Sequence, residues 1–335
     1  MPDGLAALRS LGIQCDNLPG APFRGIRFVD RGISFQSGFP EGYALGLRRT
    51  VLHSKMVEAA AAAGVRMLWG TPVSGICPHG VCVAGKIVPA RWIAGADGFH
   101  SRVRAWAGIA GQPERPWGAG FIPRGASAPP LAESMDCGWL SPKPALHRRF
   151  GFRIHYRVAP WSEYMELHWG AGCQIYVTPI GPQEVCAALI SRDPHLRLDR
   201  ALAQFPQLAA RLADAPRLTA ERGAVTANRT LPRVYRGNVA LLGDASGSVD
   251  AITGEGLCLS FRQAIALADS IHSGDLASYQ AAHRRLARRP TLMSKLMLGM
   301  DRRAWLRKPA FRALALEPRI FQRMLAFHLC VPALS

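Results

Sequence analysis

The run Asn238-Val-Ala-Leu-Leu-Gly243-Asp244-Ala-Ser-Gly247-Ser-Val-Asp250-Ala-Ile-Thr-Gly254-Glu255-Gly256 decides how the chain reads. Its apolar residues 239–242 have the character of a strand buried on both faces. The strand delivers a carboxylate, Asp244, to its carboxyl end. A loop of small residues follows, and a long helical pattern opens at Gly254. A helix start carries unpaired backbone N–H groups and a partial positive charge. Glycine at 254 and 256 leaves no side chain to keep a flat ring from that backbone, and Asp244 can accept hydrogen bonds from sugar-like hydroxyls. The combination suits a polar ligand that takes up negative charge, and a flavin has that chemistry. The bland alternative is a strand–turn–helix connector with Asp250 or Thr253 as the helix cap.

A second motif lies upstream, Ile93-Ala-Gly-Ala-Asp97-Gly98-Phe-His-Ser101-Arg-Val-Arg104. A strand again ends in an acid, Gly98 permits a tight turn, and Ser101 and Arg104 stand one turn apart on the helix that follows. Asp, Ser and Arg near a helix start make a corner compatible with phosphate. Ordinary capping by Asp97, with Arg104 on the surface, is the competing reading.

Around these motifs the chain divides by pattern. Residues 1–12 resemble the middle of a helix ending at a glycine cap. Residues 25–36 alternate like a hairpin about Asp30-Arg-Gly32. Residues 50–64 have the spacing of an amphipathic helix stopped by Gly64, and Val65–Trp69 is expected as a strand. Residues 81–88 suggest a small hairpin. From 112 to 195, prolines, aromatics and alternation over 150–156, 164–169, 174–178 and 185–190 predict an antiparallel meander. After Pro194 the chain reads as helical except for the strand leading to Gly243.

Both motifs, in this order, resemble the second and third fingerprints of the flavoprotein monooxygenase superfamily, which includes the para-hydroxybenzoate hydroxylase and geranylgeranyl reductase types. The wording from Gly243 to Gly256 is closer to the reductase branch. Aromatic hydroxylases usually have His where Gly247 stands and Pro-Pro where Asp250-Ala251 stands. Gly46-Leu-Arg-Arg49-Thr-Val-Leu52 is similar to the family's Arg-x-x-Leu at a helix start. The resemblance implies that FAD is the cofactor. It would be held by Arg49, Asp97, Gly98, Gly243, Asp244, Gly254, Glu255 and Gly256, with Asp244 on the ribityl chain and the last glycines under the ring.

The implied fold is α/β plus antiparallel β. A FAD-binding domain of para-hydroxybenzoate hydroxylase type would comprise residues 1–111 and 196–273. An inserted sheet over 112–195 would cover the substrate, and a basic helical region would fill 274–335. The family's first βαβ unit, with Gly-x-Gly-x-x-Gly for the ADP half of FAD, has no counterpart in these 335 residues. The Rossmann-type unit is therefore expected to be N-terminally truncated, with apolar neighbours of the missing strand exposed.

Function follows as an expectation. The resemblance implies a FAD-dependent oxidoreductase of monooxygenase type, reduced by NAD(P)H and acting on an apolar or aromatic small molecule. Flavin-dependent reduction of a carbon–carbon double bond is the alternative, and a non-catalytic remnant or apolar-ligand-binding protein the alternative of another class. Aromatic residues of the meander, among them Trp139, Phe150, Phe152, Tyr156, Trp161, Tyr164, Trp169 and Tyr176, would cover the flavin or form ordinary sheet core. His155 and His168 are acid–base candidates in principle, but a lone strand histidine is more often structural. No catalytic residue is assigned.

Composition bounds the partners. The formal charge is +18, and residues 284–335 carry twelve Lys or Arg against Asp301 and Glu317. That suits an acidic membrane surface or an acyl carrier, or is simply a solvated basic face. Nucleic acid is not favoured, because no recognised binding signature accompanies the charge. Eight scattered cysteines without a CxxC pair point away from metal or iron–sulfur sites and toward a reducing compartment. No secretory leader and no apolar run near the roughly 18 residues of a membrane span is read, so a protein of the cytoplasm or of a membrane periphery is expected.

Overall fold

A computed structural model describes residues 1–15, 17–109 and 148–329. The first part runs α1 (Pro2–Ser10), β1 (Ala21–Phe23), β2 (Gly25–Asp30), β3 (Ile33–Gly38), β4 (Ala44–Gly46), α2 (Arg49–Ala62), β5 (Val73–Cys77), β6 (Gly80–Val83), β7 (Lys86–Pro89), β8 (Ile93–Gly95) and α3 (Arg102–Trp106). Then come β9 (Arg149–Tyr156), β10 (Met165–Trp169), β11 (Cys173–Gly181), β12 (Glu184–Ser191), α4 (Leu198–Leu202), α5 (Pro206–Leu212), β13 (Arg222–Thr226), β14 (Tyr235–Arg236) and β15 (Val239–Leu241). The helices α6 (Gly256–Ser273), α7 (Leu276–Arg302), α8 (Ala304–Leu316) and α9 (Pro318–His328) complete the chain. Trp139, and the expected sheet domain from 112 to 147, lie outside the described residues.

The alternating stretches form the expected meander, extended into a seven-stranded sheet of order β13-β9-β12-β11-β10-β2-β3. The hairpin β2–β3 joins it through a parallel β2–β10 pairing, so the sheet draws strands from well outside 112–195. Side chains alternate between its faces. Ile154, Ile175, Val177 and Leu189 pack on one face against Leu198 of α4 and Leu208 and Leu212 of α5. The other face meets α7, α8 and α9, where Phe35, Leu167 and Trp169 pack with Met297, Phe311, Phe321 and Leu325. On that face the register aligns Arg153, Ala188, Tyr176, Leu167, Phe28 and Phe35 across six strands.

Three strands, β14-β15-β8, form a separate small sheet in which β15 and β8 run parallel. Val239 and Leu241 are fully buried, as the apolar run predicts. Helix α1 packs with α2 and α6 through Leu5, Leu8, Leu52 and Phe261.

Two expectations need correction. Val65–Trp69 is not a strand. Val65, Leu68 and Trp69 are more than half exposed, because a strand needs a ladder partner and none flanks them among the described residues. Conversely, residues after Pro194 are not all helical apart from one strand: Arg222–Thr226 pairs with β9 as the sheet edge. Its polar, glycine-containing sequence gave no alternation to read, and the neighbour's free edge recruits it. Helix α7 also continues through Pro290, which is buried, to Arg302.

Among the described residues no helix is long and apolar enough to cross a membrane. The basic helical region is not uniformly a solvated face. Arg307 is buried, paired with Asp30 at 2.8 Å, with its guanidinium 5.6 Å from the centre of the Trp169 ring.

Candidate active site

The parallel pairing of β8 with β15 sets Gly95 beside Leu241. The two acidic motifs therefore leave the small sheet at the same end. Buried Arg104 ties their loops together, donating to Phe99 O and Ala245 O at 2.9 Å each. It is not on the surface, contrary to the capping alternative.

Asp97 is occupied locally. Its Oδ2 accepts from the backbone N–H of Arg102 (2.7 Å) and Val103 (3.1 Å), and its Oδ1 accepts from Ser101 Oγ (2.5 Å). Ser101 is the N-cap of α3, accepting from Arg104 N at 2.9 Å. This is the capping use that the sequence left open. Gly98, at φ +79°, makes the left-handed turn that swings the chain from strand to helix.

Asp244 is different. It follows Gly243 (φ +57°), whose N–H donates to Gln263 Oε1 at 2.8 Å and so anchors the turn on α6. Burial pushes the Asp244 carboxyl up, and the Arg49 guanidinium opposes that shift. Burial likewise pulls Arg49 down, helped by Arg153 and opposed by Asp244. Asp244, just past the end of β15, and Arg49, at the start of α2, are exposed side chains that bear on one another's charge, and Arg153 within β9 bears on Arg49.

Arg49 and Gly254 line a cavity of about 310 Å³ together with Arg153, His155, Tyr176, Thr178 and Leu257. Gly254 stands at φ +69°, and a Cβ at Gly254 or Gly256 would point into open space. The backbone at the start of α6 is therefore bare toward the cavity. His155, held by Thr219 Oγ1 at 3.2 Å, is kept below its ordinary range by burial and by Arg48 and Arg153. His168 pairs with Glu166 at 3.0 Å and lines none of these spaces.

A second space adjoins the first. A largely apolar chamber of about 60 Å³ is walled by Phe28, Phe35, Met297, Phe311 and Phe321. Met165, Tyr176 and Thr253 line both spaces, so the two adjoin across a shared wall. The Tyr176 hydroxyl donates to Ile252 O at 2.7 Å, which fixes the ring between them.

Glu255 lies beneath this floor, 3% exposed, with Oε1 3.3 Å from His328 Nε2. Burial, with Asp3 adding, raises its carboxyl to about 8, while burial lowers His328 to about 4. Burial thus favours the neutral form of both groups near pH 7. Stability follows with opposite signs. The Glu255 contribution is complete below its ordinary 4.5 and is lost as pH rises toward 8. Those of His328 and His283, also lowered to about 4 by burial, are complete above 6.5 and are lost as pH falls toward 4. Calorimetric Tm is thus expected to peak near pH 6.5. Glu255→Gln should flatten the alkaline limb, worth about 2 kcal/mol between 6.5 and 8, and steepen the acid limb between 4.5 and 6.5, where the Glu255 loss otherwise offsets part of the histidine gain.

Sequence reading did not find Arg153 or His328. Arg153 stands between apolar Phe152 and Ile154, and a charge alternating with buried residues on a strand was the available signal. Nothing local marks His328, which joins the site only because α9 folds back.

A family model described as FAD binding domain matches residues 38–274, well over half of the chain. No curated protein matches it significantly. Among solved structures, the flavin-dependent brominase Bmp2 superposes with a TM-score of 0.73 at 14% identity, covering 98% of this chain and 82% of its own. The tetrameric form of 2-methyl-3-hydroxypyridine-5-carboxylic acid oxygenase gives 0.62 at 18%, covering 97% and 83%. The flavin-dependent halogenase CmlS gives 0.66 at 14%, covering 86% of this chain, which spans only 54% of the halogenase. At such identities the likeness is one of fold.

Proposed function

The chain belongs to the FAD binding domain family, and on that footing we propose that it is a FAD-dependent oxidoreductase of monooxygenase type acting on an apolar or aromatic small molecule. The observation that carries this reading is the adjacency of two spaces, one of them reached by charged side chains. A cavity lined by Arg49, Arg153 and Gly254 abuts an apolar chamber across a wall formed by Met165, Tyr176 and Thr253. The names of the similar structures, flavin-dependent halogenases and a pyridine-ring oxygenase, agree with it in class.

The residues present fit the flavin half of FAD. Asp244 is an exposed carboxylate on which the charge of Arg49 bears, open to accept from ribityl hydroxyls. Gly254 and Gly256 leave the α6 N–H groups uncovered, and the positive end of that helix favours negative charge above it. Bound there, the flavin would supply two-electron redox chemistry. Tyr176 and Thr253 position the substrate at the boundary, and the aromatic and methionine walls exclude water. Arg153 adds positive charge from the sheet side. Asp97 and Gly98 act by holding the neighbouring loop, with Asp97 capping α3.

NAD(P)H is the proposed electron donor. The test is NADPH oxidation by the FAD-loaded protein with an apolar phenol. Oxygen uptake matched to hydroxylated product supports the proposal. Oxidation without oxygen uptake, with saturation of an alkene substrate, would establish the reductase reading instead.

A further inference from the structure

Across α6 from the flavin-side cavity lies a cleft of about 530 Å³, walled by α7 and by Arg229–Leu231, with Ser246–Val249 as its floor. It shares no lining residue with that cavity. Arg284, Arg288 and Lys295 line it from α7 at helical spacing, and Arg229 approaches from the opposite wall. No Asp or Glu lines it among the described residues. Leu231, Val249, Leu259 and Leu292 supply an apolar portion.

The cleft is built rather than incidental. Its base is a fixed polar unit in which Ser246 Oγ lies 2.9 Å from His283 Nε2 and 3.4 Å from Gln263 Oε1. Arg229 is aimed by its neighbours: its guanidinium lies 4.1 Å from the centre of the Phe99 ring and donates to Phe99 O at 2.8 Å. A solvated basic helix would account for the α7 stripe. It would not place a half-buried arginine on the facing wall, where burial and the charge of Arg148 both disfavour its cation. Four cations line this cleft with no carboxylate beside them among the described residues, and a bound anion would compensate their charge.

We propose that this cleft is a second ligand site, taking a phosphate ester with a short apolar body. The phosphate would lie among Arg229, Arg284, Arg288 and Lys295, and the apolar body against Leu231, Val249 and Leu292. Guanidinium groups suit phosphate because their paired N–H groups match its oxygens. The site is independent of the flavin reading, and its test uses neither FAD nor turnover.

The full chain is titrated calorimetrically with hexyl phosphate and with inorganic phosphate, at ionic strength matched by sodium chloride. Saturable 1:1 binding of hexyl phosphate is expected, about tenfold tighter than inorganic phosphate because of the apolar wall. Arg288→Ala with Lys295→Ala, both exposed, should weaken it about tenfold with Tm unchanged. Co-sedimentation with phosphatidic acid vesicles distinguishes the source. Association lost in the double variant assigns a lipid headgroup, and its absence beside hexyl phosphate binding assigns a free phosphate ester. Three results would overturn the proposal: no binding above the chloride control, equal affinity for the two phosphates, or full affinity in the double variant.

Discussion

Replacing Arg149 by alanine is expected to remove about 3–5 kcal/mol of stability, enough to abolish folding of a protein of ordinary stability. Arg149 is 1% exposed at the start of β9. Its guanidinium donates to Asp250 Oδ1 at 3.2 Å, to Gln174 Oε1, and to Ile190 O at 3.4 Å. Gln174 Nε2 in turn donates to Asp301 Oδ1 at 2.5 Å. One cation thus links the large sheet, the end of α7 and the turn that precedes α6. Asp250 also caps the turn Ala251–Thr253, accepting from Ile252 N at 3.0 Å, and its own N–H donates to Asn228 Oδ1 at 2.7 Å.

Alanine at 149 would leave Asp250 fully buried, with its carboxyl already pushed up by burial and now without the cation that opposes the shift. The cost is that of an uncompensated buried charge, larger than the net worth of the pair. The urea midpoint should fall accordingly. Adding Asp250→Asn to Arg149→Met should recover part of the loss, because a neutral amide keeps the cap and removes the orphaned charge. A double variant no more stable than Arg149→Met would show that the charge is not what the guanidinium compensates.

Asp244→Ala should weaken FAD binding about 100-fold, since each hydrogen bond to a charged acceptor is worth about 1.5–3 kcal/mol. Titration of the apoprotein followed by flavin fluorescence reads this directly. Folding stability should change little, because Asp244 is exposed and, among the described residues, only the charge of Arg49 bears on its carboxyl. Asp97→Ala should behave the other way. It removes two bonds to the first N–H groups of α3 and the one from Ser101 Oγ, which should cost about 1 kcal/mol of stability, with a much smaller effect on FAD affinity. Equal losses of affinity in the two variants would mean that both acids touch the cofactor.

The difference between these acids was not readable from their motifs, which look alike: strand, glycine, aspartate, helix. Asp97 has a serine four residues on and a helix close behind, so its oxygens are used locally. Asp244 is followed by small residues and a second turn before α6 begins, so its carboxylate is left for something else. The strands over 149–191 were legible because alternation on a half-buried sheet is a local property of the chain. Arg222–Thr226 was not, since an edge strand is called into being by its neighbour. Val65–Trp69 failed in the opposite sense, with strand-like residues and no ladder to join.

Local sequence specified the kind of most elements and the two acidic strand ends, because periodicity, glycine freedom and apolar runs act within a few residues. Only the tertiary structure decided that Arg153 and Tyr176 face Gly254, that Arg149 is the buried tie between layers, and that His328 meets Glu255. Those are relations between elements distant along the chain, and a burial free energy shared among many surfaces selects which of them meet.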